Sequence, residues 1–362
     1  MSNIKRYLAF DFGASSGRLM LGEYENGKIE IKEIHRFENN PVMLNNTFYW
    51  DLPRLFYEIK QGLLKSLTYG EISGIGIDTW GVDFGILNNS NKLIGNPVHY
   101  RDKRTREIQK ECYEIIPKNE LYNVTGNQLM EINSLFQLLA LKKQDKDLFD
   151  ITKKMVLMPD LFAFLLTGNI SAERSIASTT QMYDHASGDW AYEYVKKLGI
   201  DPSILPEIVD SGSLKGELSK EICEELGISP IPVYAVCGHD TQSAMLSVPA
   251  KEENFAFLSC GTWSLLGSEI NKPILSTDAM EMEMTNEVGY GNKIAFLKNI
   301  TGLWLIQECK RQYERKGINY SFAEITNLAK DAGEACGIID TDFEEFQSEG
   351  NIPKKIKEYC RN

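Results

Sequence analysis

The chain has 362 residues, 43% of them apolar and 25% charged, a composition of soluble globular proteins and a length that allows two domains with separate cores. Acidic side chains outnumber basic ones, 51 to 39, and the net charge of −12 speaks against a nucleic-acid or membrane-surface role. An anionic ligand would have to be met by local N–H groups, hydroxyls and a metal. The seven cysteines, at 112, 223, 237, 260, 309, 336 and 360, include no CxxC pair and read as scattered reduced thiols. The start, MSNIKRYLAFDF, lacks the apolar stretch of a signal peptide, and no run approaches the ~18 apolar residues of a membrane span, so a cytosolic protein is expected.

The chain opens on a predicted meander of three strands, Tyr7–Phe12, Arg18–Tyr24 and Lys28–Phe37, with Glu25-Asn26-Gly27 as the second turn. The first turn, DFGASSGR, concentrates Gly and Ser. Such a turn aims several backbone N–H groups at one point, which suits a phosphate, or it simply serves the backbone of a hairpin. Asp11 at its mouth is ill placed to bind an anion directly. It makes sense beside Mg²⁺, which takes one or two carboxylates together with waters and phosphate oxygens; otherwise it is a turn-forming residue at a strand end.

A helix is predicted from Leu52 to Ser66, with Asp51 as N-cap, Pro53 in the first turn and apolar positions Leu55, Ile59, Leu63 and Leu64. A buried strand at Ile72–Ile77 and another at Val82–Leu87 follow. Between them GIDTWGVDF, Gly76–Phe84, gathers two carboxylates and a Trp around Gly81. That mixture suits a polyol, and it equally suits a hairpin with a core Trp. Arg101, Asp102 and Arg104 form either a second polar cluster or a solvated charge run. From Thr105 to Thr167 the pattern is mostly helical and reads as an inserted subdomain or lid.

A short strand at Pro232–Val236 leads through Cys237-Gly238-His239-Asp240-Thr241 into a helix predicted to start near Ser243. Asp240 lies where reactive groups of α/β folds gather, past a strand end at a helix start. It is placed either to take a proton from an attacking hydroxyl or to cap the helix, a role worth about 1 kcal/mol. His239 is either a ligand to substrate hydroxyls or a structural residue. No other His is placed for a Ser-His-Asp relay.

A second hairpin, NFAFLSCGTWSLLGSEI at Asn254–Ile270, repeats the small-residue turn of the first. Two such hairpins imply a polyphosphate held in a cleft between two domains, and so a nucleotide-dependent enzyme. The domain boundary is placed within Pro249-Ala250-Lys251-Glu252-Glu253. Beyond it come a strand at Ile294–Leu297, helices at Trp304–Glu314 and Phe322–Ala332, and a polar, loop-like tail from Gly337 to Asn362. Asn299 and Gln307, flanking Gly302 and Trp304, would be unremarkable alone.

Taken in order, DFGASSGR (Asp11–Arg18), GIDTWGVDF (Gly76–Phe84), YRDKRT (Tyr100–Thr105), MPDLFAFLLTG (Met158–Gly168), GHDT (Gly238–Thr241), SCGTWSL (Ser259–Leu265) and LKNITGLWLIQ (Leu297–Gln307) resemble the FGGY carbohydrate kinases. That family belongs to the actin-like ATPase superfamily. The resemblance implies an α/β, two-domain, ribonuclease H-like fold with mixed sheets, and nucleotide and sugar in the interdomain cleft. Residues 1–248 would carry the first phosphate loop and sugar site, and 249–362 the second phosphate loop. It further implies ATP- and Mg²⁺-dependent phosphorylation of a ketose at its 1-hydroxyl, L-rhamnulose foremost. L-Fuculose and xylulose remain as alternatives.

By position, the resemblance makes Asp240 the general base. It assigns Gly81, His239, Asp240, Thr241 and Asn299 to the sugar, and Ala14, Ser15, Ser16, Gly17, Arg18, Thr262 and Gln307 to the nucleotide. Asp11 would support the metal. Family members also carry a Gly-Gly-Gly segment that clasps the adenosine, and this sequence has no such triplet. The expectation is an incomplete second domain, with a product that binds sugar without turnover as the alternative outcome.

Overall fold

In the computed structural model, residues 4–334, 337–346 and 350–361 are described. They fall into two units, Met1–Phe255 with Ser268–Leu297, and Ala256–Gly267 with Lys298–Asn362.

The first unit is built on a six-stranded sheet whose strands run, edge to edge, Leu214–Glu217, Pro232–Tyr234, Gly74–Thr79, Lys5–Phe12, Ser16–Glu25 and Lys28–Glu38. The last three form the expected antiparallel meander. Glu25 pairs with Lys28 across Asn26 (φ 52°) and Gly27 (φ 81°), a two-residue turn whose handedness matches the strand twist. Gly74–Thr79 runs parallel to Lys5–Phe12 and sets Asp78 opposite Asp11, and Pro232–Tyr234 runs parallel to Gly74–Thr79. Three parallel strands therefore end at one edge of the sheet.

The helix Leu52–Ser66 has the expected bounds, and the Asp51 side chain accepts from Arg54 N at 3.2 Å. Leu55, Ile59 and Leu63 are buried, whereas Leu64 is exposed because it falls one position beyond the apolar stripe. Gly62 brings this helix onto the sheet, since a methyl group there would lie 2.8 Å from Leu19 and 2.9 Å from Phe10.

The helical region does not form a separate lid. Its strand Lys154–Leu157 pairs with Phe84–Leu87, and in the helix Met158–Thr167 Phe162 stacks on Phe12 with ring centres 4.6 Å apart. One apolar cluster joins Leu121, Phe136, Leu157, Trp190, Val288 and Ile294. Helix periodicity is visible in sequence, but the partner of an apolar face is not.

Asn286 anchors Ser268–Leu297 in the first unit. Its backbone N and Nδ2 both donate to Gly126 O, at 2.9 and 3.1 Å, and its side chain also pairs with the backbone of Ile274. Tyr122 donates to Met284 O at 2.9 Å.

In the second unit, Trp304, Leu305, Phe346 and Ile352 form a small core, and Trp304 Nε1 donates to Phe346 O at 3.1 Å. The tail differs from expectation, with a helix at Ile352–Tyr359 capped by Asn351 that contributes Ile352, Ile356 and Tyr359 to this core. Six cysteines are free thiols, and Cys336 lies outside the described residues. Among the described residues no helix is long and apolar enough to cross a membrane.

Candidate functional site

The parallel strand ends bring together residues far apart in sequence. Thr79 N donates to Gly238 O at 2.9 Å and Thr79 bridges His239, which lays Gly238–Thr241 beside Asp78 and Asp11. The following helix spans Asp240–Leu246 and starts three residues earlier than expected, because Gln242 N and Ser243 N both bond to His239 O. His239 therefore holds the N-cap position, with no side-chain cap. Asp240 is the first helical residue, and its carboxyl is about a third exposed (34%) at the edge of the sheet.

Desolvation pushes the Asp240 carboxyl up to about 6; His239 opposes this and the charge of Asp11 adds to it. At neutral pH the group is ionised and close enough to its pKa to accept a proton. Burial, then Asp11 and Asp240, push Asp78 well above the usual carboxylate range, with a Ser243 hydrogen bond opposing. Its Oδ1 is shielded from solvent and has no hydrogen-bond partner.

His239 is nearly buried, with Nδ1 2.9 Å from Glu287 Oε2 and Nε2 3.5 Å from Asp240 Oδ1. The Glu287 contact is an ion pair off the line of a directed hydrogen bond. Burial works against a charged ring, but Glu287 foremost, with Asp240 and Asp78, outweighs it and raises His239 to about 9. That lies above the ordinary 6.5, so the stabilisation is fully present below about pH 6.5 and lost as pH climbs towards about 9. Urea unfolding followed over that range should show stability falling, and His239→Gln should remove most of the slope. An unaltered slope would place the proton elsewhere.

Sequence reasoning missed two carboxylates here. Glu287 comes from the strand Thr285–Val288 and also accepts from Gln242 Nε2 at 3.0 Å. Glu173 caps the short helix Arg174–Ala177 and accepts from Gly238 N at 2.9 Å and Ser211 Oγ at 2.6 Å, fixing the turn before His239. Neither lies in a recognisable motif.

Gly81 lies against His239, for a methyl group on it would sit 3.3 Å from Nε2 and 3.5 Å from Thr179 Cγ2. Thr241 is nearly buried, its hydroxyl 3.4 Å from Asp240 Oδ1. Trp80 and Asp83 of GIDTWGVDF are core. Trp80 is buried with its ring centre 3.9 Å from that of Trp50, so it does not present a wall to a ligand. Asp83 is fully buried and accepts from Trp50 Nε1 (2.6 Å), Trp80 Nε1 (3.0 Å), Tyr100 N (3.2 Å) and Gln137 Nε2 (2.9 Å). Between Gly81 and Asp83, Val82 has φ 66°, a strained setting for a β-branched residue. Asp102 and Arg104 are no solvated charge run: Asp102 accepts from Phe48 N and Arg104 N, and Arg104 reaches Gln137 Oε1 at 2.7 Å.

In the first small-residue turn, Gly13 N donates to Ser16 O at 2.9 Å. Asn39 braces it, donating from Nδ2 to Gly13 O (2.9 Å) and from N to Ser15 O (3.1 Å). Ala14, Ser15 and Ser16 are half-buried, and Gly17 is buried beneath the Phe37 ring. Arg18 is exposed, with Nε 2.7 Å and Nη2 2.6 Å from Asp11 Oδ2.

Within the second unit the other turn is stitched to Gly302–Trp304: Leu303 N donates to Gly261 O at 2.9 Å and Trp304 N to Thr262 O at 3.2 Å. Thr262 Oγ1 donates to Gln307 Oε1 at 3.1 Å, which brings two predicted nucleotide residues together. Asn299 is half-buried on the strand Ile294–Thr301. A methyl on Gly302 would fall 2.7 Å from both Ser264 N and Trp263 C. Gly302→Ala should therefore destabilise this unit by roughly 1–3 kcal/mol, read as a lower thermal midpoint; an unchanged midpoint would rule out the close approach.

The FGGY family of carbohydrate kinases is matched by its N-terminal domain over residues 6–247 and by its C-terminal domain over 256–358. The chain belongs to this family. Curated relatives include Rhamnulokinase of Halalkalibacterium halodurans, 42% identical over 98% of this chain and 74% of that protein. Rhamnulokinase of Oceanobacillus iheyensis is 39% identical over the same shares, 98% and 74%. Among solved structures, gluconate kinase from Lactobacillus acidophilus superposes with a TM-score of 0.75 at 17% identity, covering 85% of this chain and 62% of that one. Xylulose kinase from Rhodospirillum rubrum also gives 0.75, at 16% identity, over 92% and 68%. The chain thus spans about three quarters of the curated relatives' length and somewhat under two thirds of the gluconate kinase. These likenesses establish the FGGY kinase fold, of the two-domain α/β class expected.

Proposed function

We propose that this FGGY kinase transfers the γ-phosphoryl group of ATP to the 1-hydroxyl of L-rhamnulose. The observation that carries the reading is the placement of Asp240, an accessible carboxylate at the ends of the parallel strands, raised to about 6 and outside the N-cap position, which His239 holds. The curated relatives named Rhamnulokinase, at 35–42% identity over nearly the whole chain, support the choice of sugar.

Asp240 accepts the hydroxyl proton as the sugar oxygen attacks the γ-phosphorus. The bond from that phosphorus to the bridging oxygen breaks, and ADP leaves with the electron pair. Gly81 admits the sugar beside His239, because any side chain there would fill the space in front of the ring. His239 and Thr241 orient sugar hydroxyls, and Asn299 is assigned to the sugar by its place in LKNITGLWLIQ. Ala14, Ser15, Ser16, Gly17 and Arg18 hold phosphate, while Thr262 and Gln307 serve the nucleotide.

Mg²⁺ fits beside Asp11. The shielded Asp78 Oδ1 has no partner, and the charge of Asp11 raises the cost of ionising both Asp78 and Asp240. No group of three or more His, Cys, Asp or Glu side chains is placed to cage a metal among the described residues, so Asp11 would hold an ion whose other ligands are phosphate and water. When bound, Mg²⁺ supplies charge neutralisation on the phosphates. Use of ATP fits a cytosolic setting.

The test is ADP release with ATP, Mg²⁺ and a panel of L-rhamnulose, L-fuculose and xylulose. Release that depends on L-rhamnulose is the expected result. A clear preference for another sugar would overturn the substrate assignment, and sugar binding by calorimetry without ADP would overturn the kinase reading.

A further inference from the structure

We propose that Glu287 is a positioning residue for phosphoryl transfer, clamping His239 as an imidazolium against Asp240. The inference rests on the reading of Asp240 as the base. Glu287 is 4% exposed, and its Oε2 meets both His239 Nδ1 and Gln242 Nε2, at 2.9 and 3.0 Å. The strand under it is fixed on both sides. Glu287 pairs with Ala295 in the antiparallel ladder, and Val288 N donates to Ser178 Oγ at 2.9 Å. The carboxylate therefore cannot follow the ring if the ring moves. With Nδ1 held by Glu287, the opposite ring nitrogen, Nε2, faces the Asp240 carboxyl.

The groups around the pair set the sign of the effect. Asp240 is faced by Asp11 from the first strand, by Asp78 from the adjacent parallel strand, and by His239 from the preceding turn. Its helix adds the backbone and the hydroxyl of Thr241. His239 is faced by Glu287, Asp240 and Asp78, and by the uncharged Gly81. His239 is thus the positive charge that most favours an ionised Asp240. A buried imidazole stripped of its carboxylate partner gives up its proton. Asp240 would then face Asp78, and Asp11 with its Arg18 partner, without the imidazolium, and would hold its own proton more tightly. The base would be ionised only at higher pH, and the ring would lose its fixed angle to the sugar.

The experiment measures kcat/KM for L-rhamnulose from pH 5 to 9, with ATP saturating, in the full chain and in Glu287→Gln. The acid limb should move up by about one pH unit, corresponding to a tenfold loss at a pH below it. The alkaline plateau should fall much less, and KM for ATP should stay put. His239→Gln should shift the limb likewise, and adding Glu287→Gln to it should bring no further shift. Glu287→Asp, which keeps the charge, should leave the limb near its original position.

A Glu287→Gln limb that stays in place while activity falls equally at all pH values would overturn the proposal and leave Asp240 as base untouched. Turnover retained in Asp240→Asn would instead overturn the kinase reading, and this inference with it. ¹⁵N resonances of the unsubstituted protein provide a measurement independent of folding in the variants. Among the four histidines, the one whose signal is lost in His239→Gln should remain an imidazolium through pH 8. A neutral ring at pH 7 would overturn the clamp outright.

Discussion

Asp240→Asn is expected to lower L-rhamnulose turnover by about 10²–10⁴-fold while leaving the thermal midpoint unchanged or slightly higher. The amide has the shape of the carboxylate but cannot take the hydroxyl proton. Stability should not suffer, because the helix start is held by His239 O bonding to Gln242 N and Ser243 N rather than by the Asp240 side chain. Removing the charge also relieves repulsion from Asp11 and Asp78. If Asp240 served only as a cap, the pattern would reverse, with a midpoint lowered by the loss of about 1 kcal/mol and turnover largely kept. ADP release and a melting curve on the same preparation separate the two. Near-normal turnover in the variant would end the proposed mechanism.

The largest stability effect is expected at Asp83. Asp83→Ala strands the indole N–H of Trp50, the indole N–H of Trp80, the backbone N–H of Tyr100 and the amide of Gln137 in a site with no access to water. Each stranded donor costs about 1–3 kcal/mol. Even with partial relaxation the first unit should lose ~3 kcal/mol or more, on the order of 10 °C in midpoint. Asp83→Asn retains an acceptor oxygen for the two indoles and should cost markedly less. The comparison matters because Asp78 and Asp83 stand in one short motif and do different things. Equal midpoints for the Ala variant and the parent would show that Asp83 is not the hub.

That contrast marks the limit of what the sequence disclosed. Local signals were readable: the meander from its alternation and Asn-Gly turn, the helix Leu52–Ser66 from Asp51, Pro53 and the apolar spacing, and the turn that presents Asp240. Each is decided by a few neighbouring residues. Whether Asp78 or Asp83 faces a ligand depends on which strand lies alongside, and no local pattern encodes that. Trp80 suited a polyol site or a hairpin core equally, and it is packed on Trp50 in the core. The helix Ile352–Tyr359 was hidden because its charged positions outnumber its apolar ones, and its narrow stripe of Ile352, Ile356 and Tyr359 is interrupted by Pro353 at the start. Glu287 was invisible for a simpler reason: nothing about Asn286-Glu287-Val288 distinguishes it from any other strand.

The route of the chain through Ser268–Leu297 has a consequence for the order in which the protein is made. The first unit includes that segment, so its core, with Val288 and Ile294, cannot close when residue 255 leaves the ribosome. His239 waits for its carboxylate partner until a strand synthesised dozens of residues later arrives. Such non-local closure is slow, and it leaves apolar surface uncovered in the meantime. A gene divided at the boundary of the family's N-terminal domain, residue 247, would separate the two halves of one ion pair.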